Sequence, residues 1–227
     1  MKKGFHKTED ERLFSKSIKD AKELEVLYNK KMSEVVDKLK TFHNHAIHPS
    51  IKCYVVGNGL SRKGLNLNNI TRKYANSRAT KKSFVIGCNY LYREFEPDLL
   101  IAQDTKVLFD MVKDNVEIPV VAPLLKYNWA RQNGSAELKN FYALRFPSFQ
   151  MTRWNSGDIG IYVAALLGFH LIEYIGFDGG ASSIYRADDG VSYVRKLITN
   201  RRITAVQKSF DNIKINRYED KLQSPSL

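Results

Sequence analysis

From residue 51 onward the chain alternates short, almost wholly apolar runs with stretches of helical spacing, and this alternation is its strongest constraint on fold. The runs are IKCYVVG (51–57), SFVIGCN (83–89), LLIAQD (99–104), PVVAP (119–123) and LIEYIGFD (171–178). Helices are expected at about 105–115 and 158–168. Strands apolar on both faces belong in a parallel sheet covered by helices on each side. The expectation for residues 50–227 is therefore an α/β domain, a mostly parallel sheet flanked by helices.

In such sheets ligands bind beyond the carboxyl ends of the strands, at a topological switch point. The strand endings therefore carry the functional information. They read Gly57-Asn58-Gly59, Cys88-Asn89, Gln103-Asp104, Ala122-Pro123 and Gly176-Phe177-Asp178, and four of the five present an amide or a carboxylate. A core strand has no need of such an ending. Polar groups converging on one sheet edge suggest a site for a polar ligand.

Residues 1–49 follow a different pattern. The stretch 8–46 contains neither Gly nor Pro, and Thr8 with Glu11 offers a capping box. Phe14, Ile18, Ala21, Tyr28, Met32, Val35, Leu39 and Phe42 keep a 4-3 spacing broken only by Glu25. One long N-terminal helix and a linker are expected, with the apolar stripe packing on its own domain or forming a coiled-coil seam in a homo-oligomer. Pro49 stops the helix. The spacing of His43, His45 and His48 suits neither one helical face nor a zinc pattern, so they read as a polar linker.

Two loops carry chemistry. The run from Gly57 to Gly64 is neither a dinucleotide fingerprint nor a P-loop. It does supply backbone freedom at Gly57 and Gly59, the Asn58 amide, the Ser61 hydroxyl and two cations, Arg62 and Lys63. Backbone N–H groups of such a turn can hold phosphate, although an ordinary tight turn is the plainer reading of these residues alone. The second is "TRWNSGDIGIYVAALLGFHLIEYIGFDGG" (152–180). Asn155 or Ser156 can cap a helix beginning near Asp158, and Gly157 and Gly160 let that helix N-terminus approach a ligand closely. With Arg153 just before it, this is a ready anion site.

Taken together, VVGNGLS, the CN strand ending and NSGxxxxxxAxxLGFxxIxxIGFD resemble the bacterial sialyltransferase family of the Campylobacter type. They are also similar to related phage and bacterial glycosyltransferase-like proteins with the same core. The resemblance covers about residues 51–180. It implies a Rossmann-like, GT-A-variant-like fold that binds a nucleotide sugar without a catalytic metal. It also implies that Asn58, Asn89 and Ser156 line the donor site, with Gly57, Gly59 and Gly157 as backbone companions and Asp178 as the acid of the GxD motif. One departure stands out. The sialyltransferases use a histidine downstream of GxD as general base, and here no histidine follows His170.

A carboxylate can take that proton instead, and Asp178 is the first candidate. Arg153 would neutralise the leaving phosphate. Asp188 and Asp189 have the chemistry to hold a divalent ion on a diphosphate. Adjacent acids in RADDGVS are more often a surface turn, so no metal is expected.

Charge bears on the acceptor. The net charge is +12, and residues 61–82 carry seven Lys/Arg, among them Arg62, Lys63, Arg72 and Lys73, with no acid. A second basic cluster is Arg195, Lys196, Arg201 and Arg202. Such excess favours polyanionic partners. The expected activity is glycosyl transfer to a hydroxyl acceptor, favouring a hydroxylated base in phage DNA. A flipped base would then stack on Tyr185, Tyr193 or Trp154. The alternatives are a glycan-directed, sialyltransferase-like enzyme and a non-catalytic nucleotide- or nucleic-acid-binding protein. Cys53 and Cys88, both inside apolar runs, fit reduced thiols rather than a disulfide framework. No apolar run reaches the roughly 18 residues of a membrane span and no signal peptide is evident, so a cytoplasmic protein is expected.

Overall fold

The computed structural model describes residue 37 and residues 51–71, 83–133, 140–144, 154–178, 184–185 and 193–218. The expected N-terminal helix and the three linker histidines lie outside the described residues, apart from Asp37, which is helical and exposed.

Among the described residues, seven strands form one sheet in which every pairing is parallel. They are β1 (Lys52–Val56), β2 (Ser83–Cys88), β3 (Leu99–Ile101), β4 (Val120–Pro123), β5 (Phe141–Leu144), β6 (Leu171–Ile175) and β7 (Lys214–Arg217). The helices are α1 (Asn68–Thr71), α2 (Thr105–Lys113), α3 (Leu124–Asn133), α4 (Ser156–Leu166) and α5 (Tyr193–Ser209). The strand order is β5-β4-β3-β2-β1-β6-β7. The chain thus steps outward from β1 to β5, then returns to the other side of β1. That reversal places the topological switch point between β1 and β6.

Alternation along β1 explains the layering. Cys53 and Val55 point into one core layer with Ile159, Ile161, Ala164, Phe169, Ile203 and Val206. Tyr54 and Val56 point to the opposite layer with Val85, Leu91 and Ile175. Beside that second layer, α2 and α3 bury Val107, Leu108, Met111 and Ala130 against Leu100, Val120 and Ala122. Both faces of the sheet are therefore covered, as apolar parallel strands require.

All five expected strands are present; four lose the carboxyl-end residues that leave the ladder, and PVVAP loses only Pro119 at its start. LIEYIGFD stops at Ile175 because Gly176 turns at φ +72°. LLIAQD stops at Ile101, and Asp104 instead caps α2 by accepting from the Lys106 amide at 3.0 Å. The helix expected from 158 begins at Ser156, and Gly168 at φ +89° follows its end. Two edge strands, β5 and β7, and three helices, α1, α3 and α5, are present beyond what the sequence pattern showed.

Helix α4 positions the site. Ser156 through Ala165 are all buried, and the helix packs on β1, β2, β3 and β6. It lies close to the sheet because Gly160 faces Val55; a Cβ there would sit 2.7 Å from Val55 Cγ1.

Candidate functional site

The endings of β1 and β6 run together past the sheet. The Gly57 amide donates to the Ile175 carbonyl at 2.7 Å, and the Gly59 amide donates to the Gly176 carbonyl at 2.9 Å. Only glycine allows this approach. A Cβ on Gly59 would lie 2.5 Å from the Gly176 oxygen and 2.6 Å from Asp178 Oδ2. The Asp178 carboxylate, expected as an acid at the site, accepts from the Ser61 backbone amide at 2.6 Å and so ties the β6 ending to the β1 loop.

Around this pair the other strand-end groups converge. Asn155 caps α4, its side chain accepting from the Asp158 amide at 2.8 Å. That places Ser156 at the helix N-terminus, where its hydroxyl donates to Asn89 Oδ1 at 3.0 Å. Asn89 holds a left-handed backbone, φ +52°, which turns the chain sharply as β2 ends. Gly157 leaves room for Phe177; a Cβ there would meet the ring at 2.5 Å. The sequence-predicted Gly57, Gly59, Asn89, Asn155, Ser156, Gly157 and Asp178, with Asn58 between the two glycines, are brought together beyond the ends of β1, β2 and β6. The Asn58 carbonyl accepts from the Ile184 amide at 2.9 Å, but its side-chain oxygen is buried with no hydrogen-bond partner among the described residues. A buried unpaired polar group costs stability, and in native folds it calls for an explanation such as a missing ligand.

Four expectations change here. Arg62, read as an acceptor-facing cation, is only 3% exposed. The 3-10 turn Leu60–Arg62 carries it inward, where it donates to Glu94 and, at 2.9 Å, to the Tyr185 hydroxyl. Tyr185, read as a stacking platform, itself donates to Glu94. Arg202, also read as a nucleic-acid contact, donates to Asp158 at 2.7 Å. Trp154 packs edge-on against Tyr162 and beneath Arg202. Lys63 and Arg201 are exposed. Arg195 and Lys196 lie on α5 with side chains that are not described. Arg72, Lys73, Arg153, Asp188 and Asp189 lie outside the described residues.

The electrostatics follow from these partners. Burial alone would raise the Glu94 carboxyl, but hydrogen bonds from Arg62 and Tyr185 outweigh it and hold the group below its ordinary range. A depressed carboxylate stabilises the fold above its unfolded-state pKa and loses that contribution as pH falls through the folded value. Glu94→Gln is therefore expected to lower stability at neutral pH, by at most about 1 kcal/mol given the solvent around Glu94. The gap between wild type and variant should close below about pH 4 in thermal melts. A gap that persists in acid would show the effect is not ionic. Asp158 behaves oppositely: burial raises its carboxyl, with Arg202 pulling it back. The Cys88 thiol is pushed up to about 12 by burial, with Asp158 adding to the rise and Arg62 opposing it. Both charges are therefore felt at the carboxyl end of β2.

Sequence reasoning missed Glu94 and Asp158. Their partners lie 32 and 44 residues away, with no local signal to link them. Among the described residues, no group of three or more His, Cys, Asp or Glu is placed to hold a metal ion. Nor is any helix among them long and apolar enough to cross a membrane.

No protein-family model matches the sequence, and no curated protein does. Solved structures are similar, two of them as follows. One is the sialyltransferase CstII from Campylobacter jejuni in complex with a substrate analogue, CMP-3FNeuAc, at 15% identity and TM-score 0.44, covering 73% of this chain and 79% of that one. The other is the MAf glycosyltransferase from Magnetospirillum magneticum AMB-1, at 13% identity and TM-score 0.51. That match covers 81% of this chain but 35% of the other, so this chain spans about a third of that protein's length. At such identity the likeness establishes the fold: this chain is built on an α/β, Rossmann-like core of the kind found in the MAf glycosyltransferase.

Proposed function

We propose that the chain is a glycosyltransferase that holds a nucleotide sugar across the ends of β1 and β6 and passes the sugar to a hydroxyl. The observation that carries this is the convergence of Asn58, Asn89 and the α4 N-terminus at the switch point, with the Asn58 side-chain oxygen buried and unpaired. Helix N-termini at such points suit phosphate. A turned Asn58 amide would offer its NH2 to a phosphate; in its present orientation it accepts from a ribose or sugar hydroxyl. As the sugar–phosphate bond breaks, charge grows on the leaving phosphate, and fixed donors aimed there stabilise it. The first amides of α4 would be those donors, joined by the Ser156 hydroxyl once it turns from Asn89 Oδ1, with Arg153 as a further cation.

Asp178 is the proposed base. With Oδ2 on the Ser61 amide, a carboxylate retains acceptor capacity at Oδ1 for an acceptor hydroxyl. Its proton transfer would accompany attack on the sugar carbon, and no metal is required.

For the acceptor, net charge and the exposed Lys63 and Arg201 support a polyanion such as hydroxylated DNA. Commitment of Arg62 and Arg202 to internal ion pairs weighs against it. The test is incubation of the protein with radiolabelled nucleotide sugars and with hydroxymethylated DNA or oligosaccharides. Transfer or donor hydrolysis is expected. Binding without either would favour the non-catalytic alternative. Asn58→Ala should weaken donor binding by roughly 10–100-fold, the worth of hydrogen bonds to a charged group. Affinity unchanged within about twofold would remove Asn58 from the site.

A further inference from the structure

Two residues of α5 seize the first turn of α4. The Thr199 hydroxyl accepts from Asn155 Nδ2 at 3.3 Å, and Arg202, three residues on and so on the same helical face, binds Asp158 at 2.7 Å. Asp158 is 1% exposed and lies in the first turn of the helix, two residues after Ser156. The Thr199 side chain also helps hold the carboxyl down, while Oδ1 has no hydrogen-bond partner within normal distance among the described residues. Gluing two helices together would not by itself need a buried charge, since apolar residues of similar volume do as well or better. The charge also sits in an awkward place. A carboxylate in the first turn suits the helix dipole, yet it repels any phosphate held at that same helix end. Arg202 lies against it and cancels that repulsion.

We propose that Arg202 is a positioning residue for the donor phosphate: it neutralises Asp158, so the α4 N-terminus remains attractive to an anion. This rests on the nucleotide-sugar reading above. It assigns Arg202 to the donor side of the reaction through Asp158, not to an acceptor surface. The ring of Trp154 beneath the guanidinium, 5.8 Å away, helps hold it there.

The consequence is specific to ligand charge. In Arg202→Gln the buried Asp158 loses the cation that favours its ionised form, so the titrations are run at alkaline pH, where the carboxylate stands uncompensated. Affinity for UDP or CMP should fall by about tenfold, the scale of one unit charge several ångströms away in a partly screened site. Affinity for uridine or cytidine should change less than about twofold, because neither carries a phosphate. The loss should shrink as salt is raised. The double variant Asp158→Asn/Arg202→Gln keeps a hydrogen-bonding pair without charge and should restore nucleotide affinity. Calorimetric titration of wild type and both variants, with melting curves to confirm folding, reads all of this. Equal weakening of nucleotide and nucleoside, or a double variant as weak as Arg202→Gln, would overturn the proposal while leaving the nucleotide reading standing. Wild type that binds none of the four probes and no nucleotide sugar would overturn both.

Discussion

Asp178→Asn should cut sugar transfer by about 10²–10⁴-fold, the usual worth of a positioned general base. The substitution separates two roles that the structure gives one side chain. As an anchor, Asp178 accepts from the Ser61 amide at 2.6 Å and ties the β6 ending to the β1 loop. An asparagine retains a carbonyl oxygen for that bond, so thermal stability and donor affinity should hold nearly steady. As a base, it must take a proton, which an amide cannot do. Asp178→Ala removes both roles and should also loosen donor binding. Steady-state kinetics with direct donor titrations will show which applies. Transfer by Asp178→Asn within about threefold of wild type would exclude Asp178 as the base, leaving it as an anchor.

The second large effect concerns the fold beneath the site. Phe169→Ala is expected to destabilise the domain by about 3–5 kcal/mol, the range for emptying a fully buried aromatic position. Phe169 is completely buried, follows the left-handed turn at Gly168, and packs on Phe84 of β2 with centroids 5.0 Å apart. It holds the passage from α4 into β6, the two elements that flank the crevice. Urea unfolding should show a lowered midpoint with an unchanged slope. A loss below about 1 kcal/mol would mean that the neighbours collapse into the space. Donor affinity of the folded fraction should also fall, since α4 and β6 share this ring.

The inner part of the fold was legible because parallel strands buried on both faces have no polar positions to disguise them. Cys53 to Val56 and Phe84 to Cys88 read as strands for that reason. The edge strands did not. Lys214–Arg217 buries only Ile215 and shows no apolar run; Phe141–Leu144 is apolar but only four residues long and buries only Leu144, too short a run to separate strand from helix by pattern. Helix α5 was hidden differently: its inward face is Thr199, Arg202, Ile203 and Val206, half polar because it serves the α4 cap as well as the core.

At the site, the residues that follow strand ends were readable, since topology brings all such ends to one edge. Asn89 at the end of β2 bonds Ser156 at the α4 N-terminus, and Asp178 after β6 bonds the Ser61 amide in the loop after β1. The charged residues were misread because composition reports charge without its partner. Arg62 looks like the start of a basic tail, and nothing nearby announces that a 3-10 turn will bury it against Glu94 and Tyr185. A run of cations is a solvated face only if no acid reaches it through the fold.

The central claim is that the switch-point crevice holds a nucleotide sugar. A crystal structure of the protein soaked with UDP and with CMP, each at saturating concentration, tests it most directly. The account predicts a nucleotide beyond the ends of β1 and β6, with phosphate oxygens at the Ser156 hydroxyl and the first amides of α4, and with the Asn58 side-chain oxygen or its turned amide partnered by ligand. A nucleotide seated elsewhere on the domain, or none bound beyond β1 and β6 with either nucleotide, would contradict it.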